Sequence, residues 1–207
     1  VQQRYDVLVD GGRIEALGPA GRLGGAGATV IPGTGHTALP GLIDAHLHVC
    51  GNYGVDQPGM RELREMPDQI GRNLRCIVES GVTTVRDMGA PLKLARWLKA
   101  RAAEGRLAAP RILSSGPVLT PPGGYPAFMK PLIPPVVWAV GQVKAEVRSE
   151  RDARRWVDRI AAHGLDAVKV MYTSADYDDR RTPLPLTPRP QILQHHEAIF
   201  QAIRHSD

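Results

Sequence analysis

PGLIDAHLHVCGN, residues 40–52, is the stretch that decides the fold. An apolar run opens after Pro40-Gly41 and closes on His46-Leu47-His48. An alternating strand would place Leu42, Asp44, His46 and His48 on one face and Ile43, Ala45, Leu47 and Val49 on the other. The second face is apolar and suits packing against helices. The first brings two imidazoles side by side at the end of the strand. Imidazole is the commonest protein metal ligand, and one such pair supplies half of a four-coordinate shell. The competing reading is a pair of core histidines satisfied by neighbouring hydrogen bonds. Burying both without a shared purpose is costly, which favours metal ligation. Asp44, one pleat deeper, reads as an anion that orients a ligand or as a structural carboxylate.

Downstream of this strand the period changes. A helix near 68–80 carries the stripe Ile70, Leu74, Ile77 and Val78 and stops at Gly81. A strand at Val82–Met88 leads to a helix opened by Pro91 and closed by Gly105, with Leu94, Trp97 and Leu98 facing inward. The next strand is Arg111–Ser115. Ser149 then caps a helix carrying Ala153, Trp156, Val157, Ile160 and Ala161 before Gly164. Ala167–Tyr172 is a fourth strand, followed by a helix near 190–205 with Ile192, Ile199 and Ile203 in register.

These are four consecutive strand–helix units. Their helix-to-strand loops are short, whereas the strand-to-helix loops at 50–67, 117–148 and 174–188 are long. A (β/α)8 barrel builds its active site on the strand-to-helix loops and keeps the opposite face tight. The asymmetry therefore predicts an α/β fold, the first half of a TIM-type (β/α)8 barrel, over residues 41–207. A doubly wound sheet is disfavoured, because no Gly-rich dinucleotide turn follows a strand. Upstream, residues 1–40 read as a separate small β unit with strands at Tyr5–Val9, Arg13–Leu17 and Ala28–Ile31 joined by Gly-rich turns. Alone it is too short to be stable.

The 207 residues are 43% hydrophobic, enough for a core of one or two domains. The net charge of +5 comes from 21 Arg and 5 Lys that are scattered, with no basic stripe and no interleaved aromatics, which argues against nucleic-acid binding. No apolar run reaches membrane-spanning length. Cys50 and Cys76 form neither a disulfide framework nor a zinc spacing, and Cys50 reads as a buried thiol. The chain does not begin with Met and ends directly after a helical pattern, so it is expected to be part of a longer protein.

Lys169 lies mid-strand among Ala167, Val168, Val170 and Met171, where an ammonium is expensive and normally paired. It could be ion-paired with Asp44 or Asp87. It could form a Schiff base, with a pKa lowered by burial. It could also be carbamylated, becoming a carboxylate that bridges two metal ions. Taken alone the ion pair is favoured; with His46 and His48 in the same barrel, the bridging role is. Arg86 and Asp87 end a strand, where a mutual or barrel-internal salt bridge is favoured over substrate contact. Tyr172 is placed to reach a substrate carboxylate or to pack as an aromatic.

PGLIDAHLHV, GVTTVRDMG (81–89), PRILSSGPVLTPPGGYP (110–126) and GLDAVKVMYTS (164–174) together resemble the metal-dependent amidohydrolase superfamily, in its prolidase-like and imidazolonepropionase-like branch. Residues 12–14 and IPGTGHTALPG (31–41) resemble part of the small N-terminal β-sandwich domain of that family. The resemblance implies two divalent metal ions, commonly zinc, with His46 and His48 on the more buried ion and carbamylated Lys169 bridging both. It implies a hydrolase that cleaves an amide-type C–N bond of a dipeptide, N-acyl amino acid or cyclic amide by attack of a metal-bound hydroxide. In relatives a His often follows the Gly-Gly pair of the third strand's loop; here Tyr125 follows Gly123-Gly124 and becomes the candidate substrate contact. The family's remaining ligands, two histidines and an aspartate from strands 5, 6 and 8, would lie beyond residue 207. His195, His196 and His205 read as ordinary helix residues. The isolated chain is thus expected to be inactive, and the full-length protein to be a homo-oligomer acting on a small molecule or dipeptide. A Schiff-base lyase using Lys169 and a non-catalytic scaffold are the alternatives.

Overall fold

The computed structural model describes residues 4–24, 27–50, 60–122, 124, 135, 138 and 140–171. The chain divides into two compact units, Val1–Pro40 and Gly41–Asp207. In the first, β1 (Tyr5–Asp10) and β2 (Arg13–Pro19) form an antiparallel hairpin with a bulge between Leu8 and Val9. Gly11 and Gly12 both adopt positive φ, as a two-residue turn matched to the strand twist requires. Asp6 Oδ2 accepts the backbone N–H of Gly21 at 2.7 Å and so folds the following segment back onto β1. Ala28–Ile31, expected as a third strand, forms no ladder with β1 or β2.

The second unit runs β3 (Leu42–Leu47), α1 (Met60–Glu79), β4 (Val82–Asp87), α2 (Leu92–Ala103), β5 (Arg111–Ser114), β6 (Val118–Thr120), β7 (Lys144–Glu146), α3 (Glu150–Ala162) and β8 (Lys169–Val170). The strands form two parallel sheets, ordered β3-β4-β5 and β7-β6-β8. Parallel neighbours need crossovers, and helices α1 and α2 supply them between β3, β4 and β5. Asp166 joins the two sheets: its N–H donates to Ser114 O at 2.8 Å and its Oδ2 accepts Ser114 N–H at 2.9 Å. Its Oδ1 pairs with Lys99 of α2 at 2.5 Å.

Several boundaries differ from expectation. The third strand ends at Ser114 as β5, one residue short of expectation, and a further strand, β6, follows Ser115-Gly116-Pro117. The stretch 117–148, expected as loop, thereby contains both β6 and β7. Helix α1 begins at Met60 rather than near 68; Pro67, which resembles a start signal, lies inside it. The fourth strand has a ladder only at Lys169–Val170. The helix expected near 190–205 lies outside the described residues.

Two apolar clusters hold this unit. Val49, Ile70, Leu74, Val85, Leu98 and Ile112 bury α1 and α2 against β3, β4 and β5. Leu92, Leu119, Ala145, Val147, Ala153, Trp156, Val157 and Ile160 bury α3 against β6 and β7. Ser149 caps α3, its Oγ accepting Asp152 N–H at 3.2 Å, and Gly164 ends it at φ +68°, a conformation that glycine adopts without penalty. Trp97, expected to face inward, is half exposed and lies under the Arg101 guanidinium; Ala161 also faces solvent. No described helix is long and apolar enough to cross a membrane.

Candidate metal centre

The candidate residues gather where β3 leaves its sheet. Leu47 and Val49 turn into the helix-packed cluster, Val49 being 1% exposed, so that alternation directs His46 and His48 to the other face. The start of the strand behaves differently: Leu42 and Ile43 are exposed, contrary to the expectation of a uniformly buried apolar run. Arg86 of β4 donates its Nε–H to Ala45 O at 2.7 Å, which ties the middle of β3 to its neighbour. Asp44 Oδ1 accepts the backbone N–H of His46 at 3.0 Å. Of the two roles open to Asp44, this is the structural one.

The rings of His46 and His48 stand 5.6 Å apart, centroid to centroid, at 76° to each other. His48 is half-buried against Gly89. A Cβ on residue 89 would lie 3.0 Å from its Cε1 and 3.1 Å from its Nδ1, so the ring rests where only a glycine leaves room. Burial lowers the His48 pKa; a hydrogen bond to the Gly89 backbone carbonyl opposes this, and the charges of His46 and Lys169 add to the lowering. The imidazole is therefore held neutral, the form in which it donates a lone pair to a cation. Its bond to the Gly89 carbonyl commits one ring nitrogen as donor.

Lys169, at the start of β8, acts on His48 through its charge and so belongs to the same neighbourhood as the histidine pair. Among the described residues it is ion-paired with neither Asp44 nor Asp87, which removes the pairing that its position suggested. The expected salt bridge of Arg86 and Asp87 is absent too. Alternation puts these neighbours on opposite faces of β4: Arg86 reaches across to Ala45, while Asp87 is buried beside Val85 on the helix-packed side.

Asp87, read from the sequence as a salt-bridge partner, is 1% exposed and its Oδ1 has no hydrogen-bond partner among the described residues. Burial raises its pKa to about 6, opposed by hydrogen bonds from the backbone N–H groups of Val49 and Gly89. The available signal was a carboxylate closing an apolar strand just before Met88-Gly89. Cys50 packs against the first cluster, and burial, with the Asp87 charge behind it, pushes its thiol far up, so it is an inert protonated thiol. Thr120 Oγ1 is likewise buried without a partner among the described residues. Tyr125, Tyr172, His195, His196 and His205 lie outside the described residues.

The donor set fits a divalent cation in part. His46 and His48 offer two imidazole rings, 5.6 Å apart. Lys169 becomes a ligand only if its ammonium is converted to a carbamate. Among the described residues no three His, Cys, Asp or Glu side chains come together as a cation-holding group.

Comparison with known proteins bears on the family and the fold. The amidohydrolase family profile matches residues 37–176. A crystal structure of a prolidase complexed with N-methylphosphonate-L-proline superposes with a TM-score of 0.72 at 25% identity, covering 96% of this chain and 47% of that one. A crystal structure of an amidohydrolase gives a TM-score of 0.74 at 24% identity, covering 98% of this chain and 48% of that one. A dihydroorotase of Leifsonia xyli subsp. xyli (strain CTCB07) is 52% identical over 46 residues, which are 22% of this chain and 10% of the enzyme. The chain thus spans about half the length of the solved structures it matches.

Proposed function

This chain belongs to the amidohydrolase family, and from that premise we propose that it forms the first half of a (β/α)8 barrel that hydrolyses an amide-type C–N bond. Residues 1–40 would be part of a β-sandwich domain completed elsewhere in the protein. The observation that carries the proposal is the His46–His48 pair, rings 5.6 Å apart at the carboxyl end of a parallel sheet, with Lys169 acting on it from β8. The family generally depends on metals. The parallel sheets and the prolidase, amidohydrolase and dihydroorotase relatives support C–N hydrolysis.

In this reading His46 and His48 would hold one of two divalent cations, with zinc the expected metal, and carbamylated Lys169 would serve as a ligand to both. Such cations acidify water and polarise a carbonyl, which is the chemistry that amide hydrolysis needs. The chain's own contributions are positional. Gly89 fixes the tautomer of His48 through its carbonyl, and the corner around Val49 fixes the direction of the ring. The substrate class is a dipeptide, N-acyl amino acid or cyclic amide, with Tyr125 and Tyr172 as candidate contacts.

The test uses the product of the complete gene. Lys169→Ala should abolish hydrolysis and deplete the metal, and added formate or acetate should restore part of both by standing in for the carbamate. Borohydride trapping of substrate on Lys169, with activity indifferent to chelators, would overturn the proposal in favour of a Schiff-base lyase.

A further inference from the structure

We propose that Asp87 is the positioning residue of His48, its buried carboxylate gathering the two backbone N–H groups that flank the imidazole in the chain and in space. The inference rests on the reading of His48 as a metal ligand. Asp87 ends β4 opposite Leu47 of β3 on one side and Ser114 of β5 on the other, so it sits at the corner where β3 turns into the His48 segment. Its carboxylate takes hydrogen bonds from Val49, the next residue after His48, and from Gly89, against which the His48 ring rests. Two further bonds close the same corner. Met88 N–H donates to Leu47 O at 3.0 Å, and Asn73 of α1 donates its Nδ2–H to Val49 O at 3.1 Å.

Stability alone gives a poor reason for a carboxylate here. A 1% exposed acid without a counter-ion among the described residues, and with one oxygen unpartnered, weakens the fold rather than strengthening it. What a carboxylate does better than a neutral group is accept two N–H donors with charge-assisted bonds and hold both rigidly. Val49 and Gly89 are the two groups whose shift would rotate or release the His48 ring. Asp87 touches neither substrate nor cation in this scheme; it acts through the backbone on either side of the ligand.

The experiment compares Asp87→Ala, Asp87→Asn and His48→Ala in the product of the complete gene, well below the melting temperature of each. The readouts are the zinc dissociation constant, kcat and KM separately, and the 15N shifts of the His48 ring. Asp87→Ala is expected to weaken zinc binding by about 10- to 100-fold, to lower kcat with KM little changed, and to move the His48 15N shifts. Asp87→Asn, close to isosteric and still an acceptor, should fall between it and wild type, and it serves alone if the Ala variant does not fold. Wild-type zinc affinity, kcat and ring shifts in both Asp87 variants, with zinc lost in His48→Ala, would overturn the positioning role. Zinc retained at full affinity in His48→Ala would instead overturn the metal-site reading beneath it.

Discussion

Asp87→Asn should stabilise the metal-free protein at neutral pH even as it weakens the metal site. Burial holds the Asp87 carboxyl at about 6 in the fold against an ordinary 3.8. That difference is worth about 3 kcal/mol between the protonated and ionised forms. Because the folded value is raised, the stabilising contribution is fully present below pH 3.8 and is lost as pH rises through about 6. The wild type therefore loses stability on going from acid to neutral pH, whereas the Asn side chain, a permanent mimic of the protonated acid, does not. Between pH 5 and pH 8 the stability difference in favour of the variant should widen by about 1.4 kcal/mol. Urea unfolding of both chelator-treated proteins at several pH values, followed by circular dichroism, measures this. A difference that stays flat from pH 5 to pH 8, or that narrows, would refute the claim that Asp87 is ionised at a cost inside the fold.

Two further outcomes follow from the packing around the site. Gly89→Ala puts a methyl 3.0 Å from His48 Cε1, so it should displace the ring and reduce zinc content in the purified protein, visible by elemental analysis, with little loss of helix signal. Ser149→Ala removes the Oγ that caps α3 and should cost about 1 kcal/mol by urea unfolding while leaving zinc affinity unchanged, since the cap lies on the helix behind β6 and β7.

Much of this organisation is legible in residues 40–52, for a physical reason. A strand whose outer face must meet helices has to alternate, and Val49 is buried and Leu47 partly buried as alternation requires, although Ile43 and Ala45 of the same face are exposed. The α3 cap and its stripe were legible too, because Ser149, Trp156, Val157 and Ile160 obey rules local to one helix. What could not be read depended on contacts made across the sheet. The salt bridge expected of Arg86 and Asp87 fails because the pleat sends them to opposite faces, and only the three-dimensional corner reveals that Asp87 faces Val49 and Gly89. Strands β6 and β7 escaped the reading because each is only three residues long, in a stretch whose Pro and Gly content reads as loop. Leu42 and Ile43 look like core in sequence and are exposed here, the surface that a completed barrel would cover in the proposed reading.

The most direct test is anomalous X-ray diffraction at the zinc edge from crystals of the protein produced from its complete gene. The proposed centre predicts two anomalous peaks, one at about 2.0–2.1 Å from a ring nitrogen of each of His46 and His48, with a carboxylated Lys169 between the peaks. An unmodified Lys169 ammonium, with no anomalous peak beside His46 and His48, would contradict it.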